Sequence, residues 1–252
     1  WATVEAGFSY DTRNRLQDSY QRKGYRTYTP SSSQNFGNQF AGNLFSEAQN
    51  ASISATFRRQ LRPDLAGKAS VRALYDRIDV DSNSSGGQQF VVEDVYTLSN
   101  TSVNFSTGSS RSSIRNMGVL GGANLEYKGR YILDMTYRYD GSSLFGEGNR
   151  WAPFGRISGV WLASEEPFWN VPYLSEFRVR ASKGSAGNTP SFAAQYETYS
   201  CSASGCSLGQ AGNTQLKPET TSELEVGIDF TVADRIGIEV TRAESSTQDQ
   251  IL

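Results

Sequence analysis

The sequence predicts an all-β protein whose long antiparallel strands follow one another in chain order. Apolar and polar residues alternate with a period of two along several segments, which is the pattern of strands with one polar and one apolar face. The 252 residues include 24 glycines, 13 tyrosines and 13 phenylalanines, a composition typical of strands rather than helices. The alternating segments run to about 11–15 residues, whereas strands of soluble proteins average about 5–6.

Four segments show the alternation most clearly. The first places Ala2, Val4, Ala6, Phe8 and Tyr10 on one face, and the second does the same with Ala51, Ile53, Ala55 and Phe57. The fifth alternates Tyr131, Leu133, Met135, Tyr137 and Tyr139 with polar residues, and the eighth alternates Leu224, Val226, Ile228 and Phe230 with Glu223, Glu225 and Asp229. In full, the pattern predicts nine strands, near residues 2–13, 48–61, 65–80, 112–127, 130–140, 152–164, 175–186, 219–232 and 236–249.

The connections between these strands alternate in length. Three are tight turns and a fourth is of medium length, at residues 62–64, 128–129, 233–235 and 165–174. The others are longer and polar, at residues 14–47, 81–111, 141–151 and 187–218. In an up-and-down sheet, alternate connections lie at opposite ends, so one end is tight and the other carries large loops. Outer-membrane barrels have this layout.

The fifth strand also has suitable dimensions for a membrane. Tyr131 to Tyr139 spans eight steps, about 26 Å at ~3.3 Å per residue. A tilt near 40° reduces this to a height of ~20 Å, close to the ~25 Å apolar band of membrane barrels. Tyrosines at both ends indicate aromatic girdles, to which Tyr127 and Trp161 could also belong. The prediction is therefore an antiparallel up-and-down transmembrane β-barrel in the cell outer membrane, in contact with lipid.

Two alternatives to a transporter barrel remain open at this point, one with another fold and one with the same fold and another function. A soluble secreted β-sandwich that binds glycans would also alternate, because one face of each sheet packs inward. A passive porin or an adhesin barrel would share the strand pattern. Nine is an odd number, whereas bacterial single-chain barrels have even numbers of strands, so we expect the sheet to continue beyond this chain.

The composition argues against several functional classes. The net charge of −2 disfavours a nucleic-acid partner, which would require a basic surface. The chain has no histidine, which excludes Ser-His-Asp and Cys-His nucleophiles and histidine zinc sites. No phosphate-binding glycine loop is present. We expect no catalytic residues, no metal and no cofactor.

Two acidic patterns resemble a calcium-binding loop and a glycosidase carboxylate pair, but each has a simpler interpretation. Asp79-x-Asp81-x-Asn83 begins like a calcium loop, but its sixth position is Ser84 and its twelfth is Phe90, which predicts a polar external loop instead. The pairs Glu165/Glu166 and Glu223/Glu225 lack a cleft, so they are interpreted as water-facing charge rather than as a glycosidase pair.

The second half of the chain resembles a known family in five blocks. They are Asp140-Gly141-Ser142-Ser143-Leu144-Phe145-Gly146 with Asn149-Arg150, Ser164-Glu165-Glu166-Pro167-Phe168, residues 174–182, Gly187-Asn188-Thr189, and Leu216-Lys217-Pro218-Glu219 through Glu225-Val226-Gly227. In this order they resemble SusC/RagA-type TonB-dependent outer-membrane transporters. Residues 1–128 agree in strand pattern alone.

This resemblance implies a 22-stranded barrel with an N-terminal plug. Residues 1–252 would then be a partial barrel domain, with the plug and the barrel ends absent. It also implies energy-coupled import of oligosaccharides or peptides. The implied partners are the TonB energy-coupling complex, acting through the plug, and a SusD-like surface lipoprotein.

Three groups of residues are functional candidates. Tyr25, Tyr28 and Phe36 lie in a polar loop, where aromatic rings can stack on sugars or simply pack on other loops; with Arg138 they are predicted to contact substrate. The polar strand faces carry Asp134, Arg138, Arg178 and Arg180, which are predicted to face the lumen or the plug. Cys201 and Cys206 lie in an external loop and are predicted to form a disulfide.

Overall fold

The computed structural model describes residues 1–24, 36–191, 194–202 and 205–250, with the backbone alone at residues 200–202. These residues form eleven strands: β1 Ala2–Gln21, β2 Asn38–Arg62, β3 Leu65–Phe90, β4 Thr101–Tyr127, β5 Tyr131–Ser142, β6 Trp151–Leu162, β7 Leu174–Asn188, β8 Thr198–Ser202, β9 Gly205–Gln210, β10 Glu219–Val232 and β11 Ile236–Gln248. Short 3₁₀ turns occur at Leu98–Asn100, Glu147–Asn149 and Ala163–Glu165. Within the described ranges, no helix has the length and apolar character needed to span a membrane.

Nine of these strands form one sheet in the order β1-β2-β3-β4-β5-β6-β7-β10-β11, and β8 pairs with β9 in a separate two-stranded sheet. Every pairing from β4 to β11 in the large sheet is antiparallel. The predicted up-and-down arrangement of nine strands is therefore confirmed. In the described residues β1 and β11 are the two edges of this sheet, which is open.

The predicted bounds of the first four strands were too short. β1 continues to Gln21, β2 begins at Asn38, β3 ends at Phe90 and β4 begins at Thr101, so much of the predicted loops 14–47 and 81–111 is strand. These extensions are rich in Ser, Asn, Gln and Gly on both faces, so no alternation marks them. Strand pairing nevertheless continues, because it depends on backbone hydrogen bonds.

The predicted polar loop around Asp79 and Asp81 is also wrong, since both residues lie within β3. Each carboxylate is paired with an arginine: Asp79 with Arg77 at 2.7 Å, and Asp81 with Arg111 at 2.5 Å. The described part of the chain contains no group of acidic or cysteine residues arranged to hold a metal ion.

The cross-strand register places apolar side chains on one face of β4–β11. Met135 lies opposite Ala123 on β4 and Ile157 on β6, and Val179 on β7 lies opposite Ile228 on β10. Several of these side chains are exposed: Met135 and Ile228 are each 40% exposed, and Ile157 is 50% exposed. A β-sandwich would cover this face with a second sheet, and no second sheet covers it in the part of the chain that the structure describes. The described sheet thus does not have the arrangement of a sandwich.

Aromatic side chains lie at both ends of this apolar face on β5. At one end the Tyr127 and Tyr131 ring centroids are 6.0 Å apart, and Trp161 lies opposite Tyr131 in the register. At the other end Tyr139 stacks on Trp151 with a centroid distance of 5.1 Å. This is the arrangement that the sequence predicted for two aromatic girdles.

The chain divides into two compact units. One contains Trp1–Phe8, Ala51–Asp76 and Arg115–Leu252, and the other contains Ser9–Asn50 and Arg77–Ile114. The first four strands pass through both units.

The small packed core of the first unit lies at the β5–β6 connection, within the DGSSLFG motif and the start of β6. Leu144, Phe145, Ala152 and Phe154 are buried there. The β7–β10 connection holds this turn: Gly146 N donates to the Leu216 carbonyl at 3.0 Å, and Asn149 Nδ2 donates to the Gln215 carbonyl at 3.0 Å. The DGSSLFG motif thus has a structural role: its side chains pack in the β5–β6 connection, and Gly146 bonds to the β7–β10 connection.

Gly146 is expected to be intolerant of a side chain. An added Cβ would lie 2.2 Å from the Thr214 carbonyl oxygen and 2.7 Å from Leu216 N, both backbone atoms. We expect Gly146→Ala to lower the free energy of unfolding of the full-length protein by roughly 1–2 kcal/mol through overpacking, measured as a denaturant midpoint in detergent. Gly148→Ala is the matched control, because a Cβ there meets nothing within 4 Å. Equal midpoints for the two variants would contradict this packing.

The β8–β9 hairpin lies within the predicted loop 187–218. Its register places Cys201 opposite Cys206, although the side chain of Cys201 is outside the described residues. The disulfide remains a prediction. We expect thiol labelling of the unreduced, denatured full-length protein to leave both cysteines unmodified, and mass mapping to find the peptides that contain them joined. Labelling of both thiols would contradict it.

Candidate functional site

The face opposite the apolar one is polar and carries the predicted lumen residues. Asp134 on β5 lies opposite Ser158 on β6, Ser158 opposite Ser182 on β7, and Ser182 opposite Glu225 on β10. Because side chains alternate along each strand, Asp134, Arg138, Arg178 and Arg180 all belong to this face. Their contact with a lumen or a plug stays a prediction.

Two of these arginines meet on one buried carboxylate. Asp229 on β10 is 6% exposed. Arg178 Nε donates to its Oδ2 at 2.6 Å and Arg180 Nε at 3.1 Å. Arg180 also donates to Thr241 Oγ1 on β11 at 2.5 Å. We call Arg178, Arg180 and Asp229 the arginine–aspartate cluster, which links three neighbouring strands.

A glycine makes room for this cluster. Gly227 lies opposite Arg180 in the register, and a Cβ on it would lie 2.7 Å from Arg180 Cζ. The guanidinium therefore lies directly over the bare backbone of β10, which allows it to reach both Asp229 and Thr241. Sequence alternation alone placed Asp229 on the polar face, but only the cross-strand register identifies its partners.

Arg138 lies beside a second charged group, near the β5–β6 connection. Its Nη2 is 2.8 Å from Asp140 Oδ2, and both residues line a cavity of about 270 Å³. We call this the Arg138 cavity. Of the other predicted substrate residues, Tyr25 and Tyr28 lie outside the described residues, and Phe36 is an exposed residue of the second unit.

The second unit has an aromatic cluster of its own. Tyr20 stacks on Tyr96 with centroids 4.1 Å apart, and Phe90 meets Tyr96 edge-on at 5.7 Å. The Arg22 guanidinium lies 6.0 Å from the Tyr96 ring centroid. Tyr20, near the end of β1, thus packs on the connection between β3 and β4.

Glu166 has a role that the sequence did not indicate. It was expected to face water, but it is 9% exposed. Its carboxylate accepts hydrogen bonds from Tyr131 Oη at 2.5 Å and Trp161 Nε1 at 3.1 Å, and pairs with Arg130 at 2.5 Å. The hydrogen bonds from Tyr131 and Trp161 hold the pKa of this carboxyl below its usual value. Glu166 thus ties the β6–β7 turn to the start of β5.

This lowered pKa predicts a pH dependence with a definite sign. A carboxyl whose pKa is lowered by folding stabilises the folded state above its unfolded pKa of about 4.5, and this contribution is lost as the pH falls through the folded pKa. We expect Glu166→Gln to be less stable than the wild type at pH 7, with the difference shrinking at acid pH, where both side chains are neutral. Denaturant midpoints at several pH values measure this. The exposed Glu165→Gln is the control, and a pH-independent difference would contradict the assignment.

Comparisons with known proteins agree with this geometry. The family described as TonB dependent receptor-like, beta-barrel matches residues 1–243. TonB-dependent receptor P26 of Formosa agariphila is 24% identical over the whole chain, which covers 30% of that protein. TonB-dependent receptor SusC of Bacteroides thetaiotaomicron is 33% identical over 44% of the chain and 12% of its own length.

A solved structure shows the same fold. The structure of the RagAB peptide transporter superposes on the whole chain with a TM-score of 0.87 at 19% identity, and the chain covers 29% of it. The chain thus spans less than a third of the length of each of these three proteins. It belongs to the TonB-dependent receptor-like β-barrel family, and it is similar to SusC in sequence and to the RagAB transporter in fold.

Proposed function

We propose that this chain is a barrel segment of an outer-membrane receptor that imports large nutrients, oligosaccharides or peptides, by TonB-dependent active transport. The observation that carries the proposal is the contrast between the two faces of one sheet. One face is apolar and uncovered, as lipid contact requires, and the other carries ion pairs suited to an aqueous lumen. The names of the relatives support it, since one is a TonB-dependent receptor and another a peptide transporter.

The polar face would contact a plug or a passing substrate. The arginine–aspartate cluster holds two guanidinium groups in fixed positions, and a guanidinium presents several donors in a rigid fork. Arg178 remains 44% exposed at its side chain, so it can still donate to a further carboxylate or carbonyl. Arg138 and Asp134 extend the same face toward the β5–β6 connection.

The proposal also includes the TonB complex and a surface lipoprotein as partners. A plug outside this chain would receive the TonB energy-coupling complex, and a SusD-like surface lipoprotein would cover the external connections. Tyr25, Tyr28 and Phe36 are proposed as substrate contacts together with Arg138. The Cys201–Cys206 disulfide would constrain the external β8–β9 hairpin.

Fractionation of the source cells tests location and length together. An antibody to residues 187–218 should detect a detergent-extractable band in the outer-membrane fraction, at about three to four times the 27.7 kDa of this chain. Uptake of the nutrient should be lost when either the receptor or TonB is deleted. A soluble band near the mass of this chain, or uptake that survives loss of TonB, would overturn the proposal.

A further inference from the structure

The Arg138 cavity has a size and a location suited to a small group. Its volume of about 270 Å³ lies just below the ~300–1,000 Å³ of small-molecule pockets. It therefore accepts a group the size of one residue rather than a whole oligomer. Its polar wall is formed by Asp76, Asn116, Arg138 and Asp140.

The apolar wall is held in place by packing. Phe145 is 3% exposed and Phe154 is 8% exposed, and a Cβ on Gly187 would lie 2.1 Å from Phe154 Cζ. The bare backbone of Gly187 thus fits against this ring. On the polar side, Ser142 Oγ donates to Asn116 Oδ1 at 2.7 Å. A wall already fixed in this way loses little side-chain freedom on binding.

The charges in the cavity do not balance. Two carboxylates, Asp76 and Asp140, line it with one guanidinium, that of Arg138. Arg138 pairs with Asp140, and none of the ion pairs formed by the described residues includes Asp76. The cavity therefore carries a net charge of about −1 beside an apolar wall, which attracts a cation.

Neutral sugars fit this lining less well. The unpaired carboxylate of Asp76 is an acceptor without a positive partner, and a cation would satisfy it better than a hydroxyl group does.

We propose that the Arg138 cavity binds a primary ammonium group carried next to an apolar moiety, through Asp76 and Asp140 against the wall formed by Phe145 and Phe154. In the imported nutrient this group would be an amino terminus or a basic side chain. The assignment of this ligand class to an imported nutrient rests on the proposed function, whereas binding at the cavity can be measured without transport.

Three small probes of matched shape test the charge preference. Phenethylamine, phenethyl alcohol and phenylacetate share one ring and differ in charge at pH 7. Calorimetry or ligand-observed NMR on the full-length receptor in detergent should show phenethylamine binding at least about fivefold tighter than phenethyl alcohol, with phenylacetate the weakest. Equal binding of all three, or binding of none, would overturn the proposal.

Charge-changing variants locate the site. Asp76→Asn should remove most of the phenethylamine preference and leave phenethyl alcohol unchanged. Arg138→Gln should strengthen phenethylamine binding, because it removes the positive charge and keeps a donor for Asp140. A purely structural role for Arg138 would predict weaker binding instead. Glu223→Gln, which removes an exposed carboxylate elsewhere on the polar face, should have no effect.

The outcomes separate this inference from the transport proposal. If the probes bind as expected but uptake survives deletion of the receptor, the cavity assignment stands and the transport proposal fails. If uptake depends on the receptor and TonB but the three probes bind alike, transport stands and the ammonium site is wrong. Loss of phenethylamine preference in Glu223→Gln would place the binding outside the Arg138 cavity.

Discussion

Replacing Met135 by arginine is expected to destabilise the folded full-length receptor by about 2–4 kcal/mol, the cost of a charged side chain at mid-membrane on the lipid face of a barrel. Met135 lies near the middle of the apolar face, between Ala123 and Ile157 in the register. No acidic side chain lies opposite it to compensate a guanidinium. The measurement is the free energy of refolding into detergent or lipid, followed by the shift in gel mobility between folded and unfolded forms.

The matched control places the same charge on the other face. Ser158→Arg lies one strand away, opposite Asp134, so an arginine there gains an acidic neighbour and remains in water. Arg156 Nη2 also donates to Ser158 Oγ at 3.2 Å, so at this position the acidic neighbour Asp134 offsets the basic neighbour Arg156. Thr136 is a poorer control because it lies directly opposite Arg156, and two arginines facing each other would repel. We expect Ser158→Arg to change the stability by less than about 1 kcal/mol. Equal losses for Met135→Arg and Ser158→Arg would refute the assignment of faces.

The faces of the sheet could be predicted from sequence because the side-chain period of a strand is two. Met135 and Asp134 were assigned to opposite faces by alternation alone, and the register confirms this. The ends of β1–β4 could not be predicted in the same way. Gly86 and Gly87 in β3, for example, have no side chains to alternate, and strands there are held by backbone pairing.

The residues of the candidate site could likewise be predicted only in part from the sequence. Arg178 and Arg180 could be placed on the polar face from sequence, but Asp229 lies 49 residues from Arg180 along the chain, and only the register of β7 with β10 brings them together. The prediction that Glu166 faces water was wrong for a related reason. Arg130 and Tyr131 lie 36 and 35 residues before Glu166 in the chain, and only Trp161 is a near neighbour, so little in the local sequence indicates that Glu166 is buried.

Replacing Asp229 by asparagine is the other change with a large expected effect. Removing one partner from a buried ion pair costs about 3–5 kcal/mol. The two arginine side chains are 44% and 31% exposed, so water can partly replace the lost charge, and we expect a loss of about 2–3 kcal/mol. Asparagine keeps the shape and one acceptor, which makes the loss a measure of charge rather than of packing.

A double-mutant cycle with Arg180→Met separates the cluster from general damage to β10. If Asp229 acts mainly by neutralising Arg180 and Arg178, the two replacements together should cost at least about 1 kcal/mol less than the sum of the single losses. The exposed Glu223→Gln on the same strand and face should be close to neutral. Additive losses would mean that Asp229 stabilises β10 independently of Arg180. The guanidinium over Gly227 would then be free to leave Asp229 for another acidic group in the lumen at little cost in stability.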